Sequence, residues 1–391
     1  MNAYLGIEGE YWMNLLIITP DTPGLASTHL IEYLRSTDHT VTVVRHPVAP
    51  SVGRSRMSTI SAGGGVRQVN RERHKGLFSY WRDFNFTVDW IDKRDQVFDW
   101  AICLSSHLAE AGLLLRRRKK VKKVVYWALD YYPRRYGKNG VTGSRMSALL
   151  EWPYRRVEKH VVKNVDVRWT ITRNMSDGWK LGGYSWHGPV FTVPHAITLL
   201  RKWSEVGEQV PNRLHHSLFW AGALRPEFGF DLVVNSWEEL KGRFPNLRLT
   251  VSSRTPISRY EEFLKREDVD VVGFIPDEGT FLRLVGSHSA GLAPYQPGSY
   301  KTYSDSARVK TYASCGVPIL ITRHCGSWEE VYRFGAGRII DNGNLVDAAS
   351  AILSDATLQR SLADGALSLA RMYTADKVFP KALDQLESLH S

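Results

Sequence analysis

The sequence predicts an α/β protein made of two doubly wound domains, each with a parallel sheet. Short apolar runs alternate with helical segments along most of the chain, the pattern of parallel strands covered by helices on both faces. The chain has 391 residues, and at roughly 150 residues per domain this length allows two to three domains. The apolar pattern breaks once, between residues 198 and 214, where polar residues predominate. We therefore predict a first domain over residues 1–199 and a second domain that begins at residue 200.

The first domain alternates predicted strands with predicted helices. The strand segments are short apolar or β-branched runs. They are Leu15–Thr19, Val41–Arg45, Phe98–Leu104, Lys122–Leu129, Val165–Thr172 and Val190–Val193. The helices are Thr28–Leu34 and Leu108–Leu115. Residues 51–76 contain few apolar residues, a triple glycine and six arginine or lysine residues, and they predict a long basic loop.

The second domain repeats the alternation with short connections. Its predicted strands are Leu218–Ala221, Leu247–Ser252, Val269–Ile275, Ala290–Pro294 and Pro318–Ile321. Its predicted helices are Asp231–Leu240, Tyr260–Lys265, Phe281–Val285 and Ser306–Ala313.

Charge and cysteine usage narrow the class of protein. The net charge of +11 and pI near 9.5 indicate an anionic partner, either nucleic acid, anionic lipid or a phosphate-bearing substrate. Three widely spaced cysteines without a Cys-x-x-Cys pair form no disulfide framework or zinc motif and favour a reducing, cytoplasmic compartment. No apolar run approaches the roughly 20 residues of a membrane span, and the first residues lack the basic region of a signal peptide.

Several common nucleotide and metal motifs are missing or misplaced in the sequence. No Walker A loop is present, and no Gly-x-Gly-x-x-Gly follows the first predicted strand, so ATPase and NAD-enzyme functions lose their best support. The triplet Asp268-Val269-Asp270 has the Asp-x-Asp form that holds a metal-bound diphosphate in some sugar transferases. Because it precedes a strand instead of ending one, we predict no metal site.

A basic run in the first domain is typical of a surface that contacts anionic lipid. Residues 116–123 contain seven cations in eight positions, and an aromatic cluster lies nearby between Phe78 and Trp90. A solvated connection would also explain the run, and basic and aromatic residues together would suit single-stranded nucleic acid. No named nucleic-acid motif occurs, so we expect a peripheral membrane contact and no nucleic acid. Its predicted residues are Trp81, Phe84, Arg116, Arg117, Arg118, Lys119 and Lys120.

The most specific stretch of the sequence lies between residues 290 and 319. The strand Ala290–Pro294 leads through a polar loop to a helix, whose start is marked by Ser304, Asp305 or Ser306, because the oxygens of Asp and Ser accept free backbone N–H groups. A helix N-terminus also attracts phosphate. Arg308 in the first turn adds a forked, permanent cation suited to a diphosphate. The helix ends in a Cys-Gly-Val-Pro turn at residues 315–318.

This stretch resembles the nucleotide-binding half of a GT-B glycosyltransferase, in which a strand, loop and helix ending in a Gly-x-Pro turn grip the donor diphosphate. Phe219–Leu224 resembles the first donor-domain strand and its tight turn. Gly326–Gly337, which contains Glu330, is similar to the next donor-domain element. Val193–Ala196 lies where that family leaves its first domain.

The chain is most similar to the membrane-associated β-glucuronosyltransferase family of xanthan synthesis. Five short patches carry this resemblance: Pro20–Pro23 with Thr28-His29, Val125–Asp130, Gly222–Leu224, Leu292–Tyr295 and Asp305–Arg308. The family's lysine at the diphosphate is Arg308 here, which keeps the charge. Retaining GT-B enzymes carry a glutamate before the Gly-x-Pro turn, where this chain has Thr311, so we expect an inverting enzyme.

The resemblance implies a GT-B fold with an acceptor-binding domain over residues 1–199 and a donor-binding domain over 200–370. A last helix, residues 371–391, would pack back on the first domain. The donor would be a nucleotide diphosphate sugar, most simply a UDP-sugar, with no metal or other cofactor. The acceptor would be a lipid-linked sugar or glycan at the cytoplasmic membrane face.

The predicted site residues fall into three groups. Asp130 follows an apolar strand, at the edge where open α/β sheets bind ligands, and is the predicted catalytic base; an N-cap role for the next helix is the alternative. The predicted donor-binding residues are Gly222, Leu224, Arg225, Phe274, Ile275, Tyr295, Asp305, Ser306, Arg308, Lys310 and Glu330. The predicted acceptor-binding residues are Asp21, Thr22 and His29.

Two other functions remain compatible with the sequence. A sugar-nucleotide epimerase of the same fold would need no membrane patch. A basic nucleic-acid-binding protein would bind in a gel shift instead of floating with liposomes.

Overall fold

The computed structural model describes residues 12–21, 26–47, 56–60, 66–70, 79–131, 145–197, 216–253, 258–340 and 344–389. These residues form two α/β units, each built around its own sheet. The prediction of two parallel-sheet domains is confirmed. Among these residues no helix is long and apolar enough to cross a bilayer.

The first sheet has eight strands in the order β4-β3-β2-β1-β5-β6-β7-β8. They are β1 (Asn14–Asp21), β2 (Thr40–Pro47), β3 (Arg56–Ile60), β4 (Val66–Asn70), β5 (Phe98–Cys103), β6 (Val121–Ala128), β7 (Val167–Thr170) and β8 (Val190–Thr192). All pairs from β2 through β1 to β8 are parallel. The central strands are near-continuous apolar runs because helices cover both faces of the sheet.

The prediction of a long loop over residues 51–76 is wrong. The chain forms β3 and β4 there, and they extend the sheet antiparallel to β2. Strand β2 already presents a row of backbone N–H and C=O groups, so an added edge strand gains hydrogen bonds with little apolar sequence of its own. The buried side chains of Met57 and Ile60 attach β3 to the core.

The second sheet has six strands in the order β11-β10-β9-β12-β13-β14, and all its pairs are parallel. They are β9 (Ser217–Ala221), β10 (Arg248–Ser252), β11 (Val269–Val271), β12 (Ala290–Ala293), β13 (Ile319–Ile321) and β14 (Gly337–Ile339). Counted within this sheet, the order is 3-2-1-4-5-6, that of a dinucleotide-binding fold. Ligands of such sheets bind where the strand order reverses, which here is between β9 and β12.

Helices cover the two sheets. The first unit contains α1 (Ala26–Leu34), α2 (Ser79–Asp92), α3 (Ser106–Arg117), α4 (Arg145–Asn164) and α5 (Asn174–Leu181). The second contains α6 (Phe230–Arg243), α7 (Glu261–Leu264), α8 (Glu278–Gly286), α9 (Ala307–Ser314), α10 (Trp328–Arg333), α11 (Leu345–Ser354) and α12 (Ala356–Arg371), followed by the last helix α13 (Ala375–Glu387). Single 3-10 turns occupy Pro226–Phe228, Ser258–Tyr260 and Tyr300–Tyr303.

The last helix, α13, packs against the first unit. The ring of Phe379 lies 5.7 Å from that of Tyr33 on α1 and 6.2 Å from that of Trp127 on β6. Just before the helix, the carbonyl of Tyr373 accepts a 2.6 Å hydrogen bond from the backbone N–H of Ile197. The end of the chain is therefore part of the packing of the first unit.

Candidate functional site

The guanidinium of Arg308 is the most distinctive charged group at the switch point of the second sheet. It lies 4.4 Å from the ring of Trp220, 5.2 Å from that of Tyr295 and 5.4 Å from that of Phe228. Arg308 is only 8% exposed, and among the described residues its Nη1 has no hydrogen-bond partner. The aromatic rings hold the guanidinium in place without using its N–H groups. The side chain is therefore a preformed, unsatisfied cation.

Gly222 brings the backbone close to that cation. It follows β9 with φ of 105°, a conformation that favours glycine. A Cβ at this position would lie 3.1 Å from Nη2 of Arg308. The turn therefore favours glycine, and any side chain here would also crowd the guanidinium.

A pocket of about 380 Å³ opens beside this turn. It lies at the carboxyl ends of β9 and β10 and is mostly apolar. Gly222, Phe274, Ile275 and Phe281 are among its lining residues. The structure thus brings three residues that the sequence predicted for donor binding into one pocket, and one of them, Gly222, lies beside Arg308.

The loop before α9 is held by Asp305 and Ser306. Both are buried, and Oδ1 of Asp305 accepts hydrogen bonds from the backbone N–H of Ser306 at 2.7 Å and from the hydroxyl of Ser327. The hydroxyl groups of Ser306 and Tyr295 lie 2.6 Å apart. These contacts orient the first turn of α9, from which Arg308 projects.

Two other predicted donor-binding residues of the second unit have side chains that are already engaged within the protein. Leu224 is 2% exposed and belongs to the core. Arg225 lies 3.5 Å from the carboxylate of Glu227 in an ion pair.

Asp130 meets the second unit through a residue that sequence analysis missed. Its Oδ1 accepts a 2.8 Å hydrogen bond from the ammonium of Lys301, which also donates to the carbonyl of Asp305 at 3.1 Å. Burial alone would lower the pKa of Lys301, but Asp130 and the nearby tyrosines, Tyr300 and Tyr295, outweigh it and raise that pKa. Lys301 is thus a firmly charged group between the predicted base and the second unit.

His195 lies in the same electrostatic environment. Burial lowers its pKa, while Asp305 and Asp130 raise it and Lys301 lowers it further. It follows β8, where the chain leaves the first unit. No local pattern marks His195 or Lys301 in the sequence, since each is defined by residues far along the chain.

Lys310 and Glu330 lie on the other side of α9 from Arg308. The ammonium of Lys310 is 3.1 Å from Oε2 of Glu330, 3.6 Å from Oδ2 of Asp305 and 3.0 Å from the ring centroid of Tyr373. Residues two apart on a helix point to nearly opposite sides. The structure therefore does not bring Lys310 and Glu330 to the turn of Gly222.

The predicted acceptor residues lie at the end of β1 and on α1. Asp21 is the last residue of β1. Burial lowers the pKa of His29, while Glu32 and, from the second unit, Glu278 raise it. His29 thus senses charges of both units. Thr22 lies outside the described residues.

The predicted membrane residues have mixed surroundings. Arg116 pairs with Asp166 at 2.6 Å, and Arg118 pairs with Asp92. The ammonium of Lys120 donates to the carbonyl of Arg94. Arg117 and Lys119 are exposed.

The aromatic part of this prediction is less exposed than expected. Phe84 on α2 is half-buried and packs against the core. Its ring therefore packs α2 against the core. Trp81 lies within α2, and its side chain is outside the described residues.

Comparisons with known proteins match the fold of the whole chain. Sucrose-phosphate synthase from Thermosynechococcus elongatus superposes with a TM-score of 0.73 at 12% identity, over 96% of this chain and 99% of that one. A UDP-forming α,α-trehalose-phosphate synthase from Burkholderia xenovorans gives a TM-score of 0.71 at 11% identity, over 97% and 100%. HepE from Anabaena, solved in complex with UDP, gives 0.63 at 11%, over 96% and 100%.

At the level of sequence, no protein-family model and no curated protein matches the chain. The structural likeness nevertheless extends over both sheets and nearly the full length. The chain has the GT-B fold of glycosyltransferases.

Proposed function

We propose that this protein is an inverting glycosyltransferase that uses a UDP-sugar. The observation that carries the proposal is the buried Arg308, whose Nη1 is unpartnered among the described residues beside the Gly222 turn. A permanent forked cation at the switch point of a parallel sheet suits a diphosphate. HepE, a neighbour in fold, was solved with UDP and with UDP and glucose.

The donor would lie along the carboxyl edge of the second sheet. Its diphosphate would contact Arg308, and its base would enter the pocket lined by Phe274 and Ile275. The apolar lining of that pocket suits a flat ring, and its size is within the range of small-molecule sites. The hydroxyl groups of Tyr295 and Ser306 form a hydrogen bond that stabilises the loop at this edge.

Asp130 would act as the base of a direct displacement. It takes the proton of the acceptor hydroxyl, the hydroxyl oxygen bonds to the anomeric carbon, and the bond from that carbon to the diphosphate oxygen breaks. UDP then leaves with the added negative charge, which Arg308 stabilises. Thr311, in place of an acidic residue, supports inversion. We propose that no metal is needed, because Arg308 supplies the positive charge for the leaving group.

The ion pair between Asp130 and Lys301 has a role in this scheme. Lys301 holds the carboxylate in place before the acceptor arrives. Lys301 would thus act by positioning the base.

We propose an acceptor at the membrane, as a lipid-linked sugar, with glucuronosyl or hexosyl transfer. Arg117 and Lys119 are the exposed cations that support this part. Reversing both charges should weaken binding to anionic liposomes at low salt. Unchanged flotation of that variant would remove the basic run from the membrane contact.

The experiment that tests the core proposal is a screen of nucleotide sugars by thermal shift, since any ligand of the folded state raises the unfolding midpoint. The expected result is a rise with UDP and with one or a few UDP-sugars. Product analysis by NMR, with and without added sugar acceptors, then separates transfer from the alternative of epimerisation. Epimerised donor without acceptor would favour the epimerase, and no response to any nucleotide would overturn the proposal.

A further inference from the structure

A second cavity of about 370 Å³ lies between the two units, beside the last helix. Its wall combines the ends of β7 and β8, helix α10 and one face of α13. Cations outnumber carboxylates in its lining by four to two. The cations are Arg173, Arg333, Lys377 and Lys381, and the carboxylates are Glu329 and Glu330.

The two carboxylates leave an excess of positive charge in this cavity. Within the described residues none of the four cations forms an ion pair, and all four are exposed. Glu330, by contrast, already pairs with Lys310 at 3.1 Å. A cleft with an excess of one sign of charge attracts counter-ions and raises their local concentration.

Polar groups complete the lining. Thr172, Asn174 and Thr192 contribute hydroxyl and amide groups. Oε1 of Gln385 is buried and has no hydrogen-bond partner among the residues that the structure describes. It offers an acceptor to a ligand hydroxyl, which a simple surface of lysines would not provide.

This cavity is separate from the site formed by Arg308 and the turn at Gly222. Arg308 points to Trp220 and Gly222, whereas Lys310, two residues later on α9, points to Glu330 and Tyr373 on the cavity side. We propose that the cavity binds a phosphate group carried on a hydroxylated compound, with the four cations on the phosphate and Gln385 on a hydroxyl. The inference does not depend on the proposed function.

Inorganic pyrophosphate is a suitable probe, once the Arg308 site is removed from the measurement. It is titrated by calorimetry into the full chain saturated with UDP and, in parallel, into an Arg308→Ala variant. Binding in both settings is the expected result, and its absence from both would overturn the proposal. If UDP does not bind, the Arg308→Ala arm still tests the cavity, so the two proposals fail independently.

Charge-reversal variants test which residues of the cavity bind the phosphate. Lys377→Glu with Lys381→Glu should weaken pyrophosphate binding by about tenfold or more, the loss expected when charge-assisted hydrogen bonds are removed. The matched control is Arg360→Glu with Arg371→Glu on α12, two exposed residues outside the cavity with the same change of net charge. An equal loss in the control would show a general charge effect and overturn the site.

Vesicles of phosphatidylcholine with phosphatidic acid distinguish the source of the phosphate. Flotation lost in the cavity variant and kept in the α12 control would assign a lipid headgroup. Flotation that is equal in both variants, with pyrophosphate binding lost only in the cavity variant, would assign a soluble phosphate compound. Either result requires the cavity cations.

Discussion

At the scale of single residues, Asp130 carries the chemistry of the proposed reaction. Asp130→Asn keeps the shape but accepts no proton, so turnover should fall by about 10²–10⁴. UDP affinity should be unchanged, because the proposed UDP site lies on the other unit. The measurement is UDP release with calorimetric binding alongside. Asp177→Asn on α5, an exposed residue paired with Lys180, is the control.

The change at Asp130 also removes the ion partner of Lys301. Thermal unfolding of the variant is therefore needed to separate a lost base from a disturbed loop. A folded variant that keeps more than about a tenth of the turnover would remove Asp130 from the role of base.

Arg308 should matter to the diphosphate more than to the sugar. Arg308→Ala should weaken UDP by about tenfold or more, since a charge-assisted hydrogen bond contributes about 1.5–3 kcal/mol. Arg308→Lys should recover only part of this, because an ammonium lacks the fork and the flat face that stacks on Trp220. Equal UDP affinity in Arg308→Ala and in the exposed control Arg283→Ala would place the diphosphate elsewhere.

Sequence analysis predicted these two residues because a local pattern marks each one. Asp130 follows an apolar strand, and Arg308 lies in the first turn of a helix preceded by residues of the capping type, although no side chain caps that helix in the structure. Lys301 is different, since its partner is 171 positions away in the chain. Only the packing of one unit on the other brings them together, and no periodicity encodes that contact.

At the scale of elements, strands with buried faces were the easiest to predict. The segment 217–221 is buried at every position, and its apolar run shows this directly. Helices α2 and α4 were not predicted, since α2 is rich in aromatic and polar residues and α4 contains Pro153. Strands β3 and β4 were missed because their stability comes from the edge of β2.

Helix α4 is joined to the first sheet by a buried carboxyl group. Glu158 accepts hydrogen bonds from the hydroxyls of Tyr126 on β6 and Tyr184, each at 3.1 Å. Burial raises the pKa of Glu158 to about 7, although the hydrogen bonds from the tyrosines oppose the rise. The folded protein therefore keeps a proton that the unfolded chain releases at lower pH.

This proton makes stability depend on pH. Between the ordinary glutamate pKa of about 4.3 and the raised value, the folded state binds more protons, so this contribution to stability is lost as pH rises. The unfolding midpoint temperature should fall as the pH rises from about 5 to about 8, and Glu158→Gln should flatten that part of the curve. The exposed Glu262→Gln should leave it unchanged. A Glu158→Gln profile parallel to the wild type would contradict the assignment.

At the scale of the whole molecule, the two units are connected at more than one place. The chain passes from one unit to the other after Ile197 and returns near Thr374. These two passages lie side by side, because Ile197 forms a β-bridge with Thr374. The loop before α9 makes a second contact, since the hydroxyl of Thr172 donates to the carbonyl of Tyr303 at 2.7 Å. Lys301 and Asp130 add an ion pair there. The cleft between the units is therefore bounded by the two chain passages, which we call the hinge, and by the loop before α9.

The last helix should decide whether the two units unfold together. Phe379 is fully buried between α13 and the first unit, and Phe379→Ala should cost about 3–5 kcal/mol. For a unit of this size, the unfolding transition of the first unit should drop by roughly 10 °C. Calorimetry should then resolve two transitions where we expect the wild type to show one, because the second unit keeps its own core.

UDP identifies the two transitions in the same experiment. It should raise only the transition of the second unit in Phe379→Ala and the single transition of the wild type, since linkage acts on the unit that binds the ligand. Asp384→Ala, an exposed change on the same helix, should behave as the wild type. A single transition in Phe379→Ala that still moves as a whole with UDP would mean that the hinge and the loop at Lys301 couple the units without the last helix.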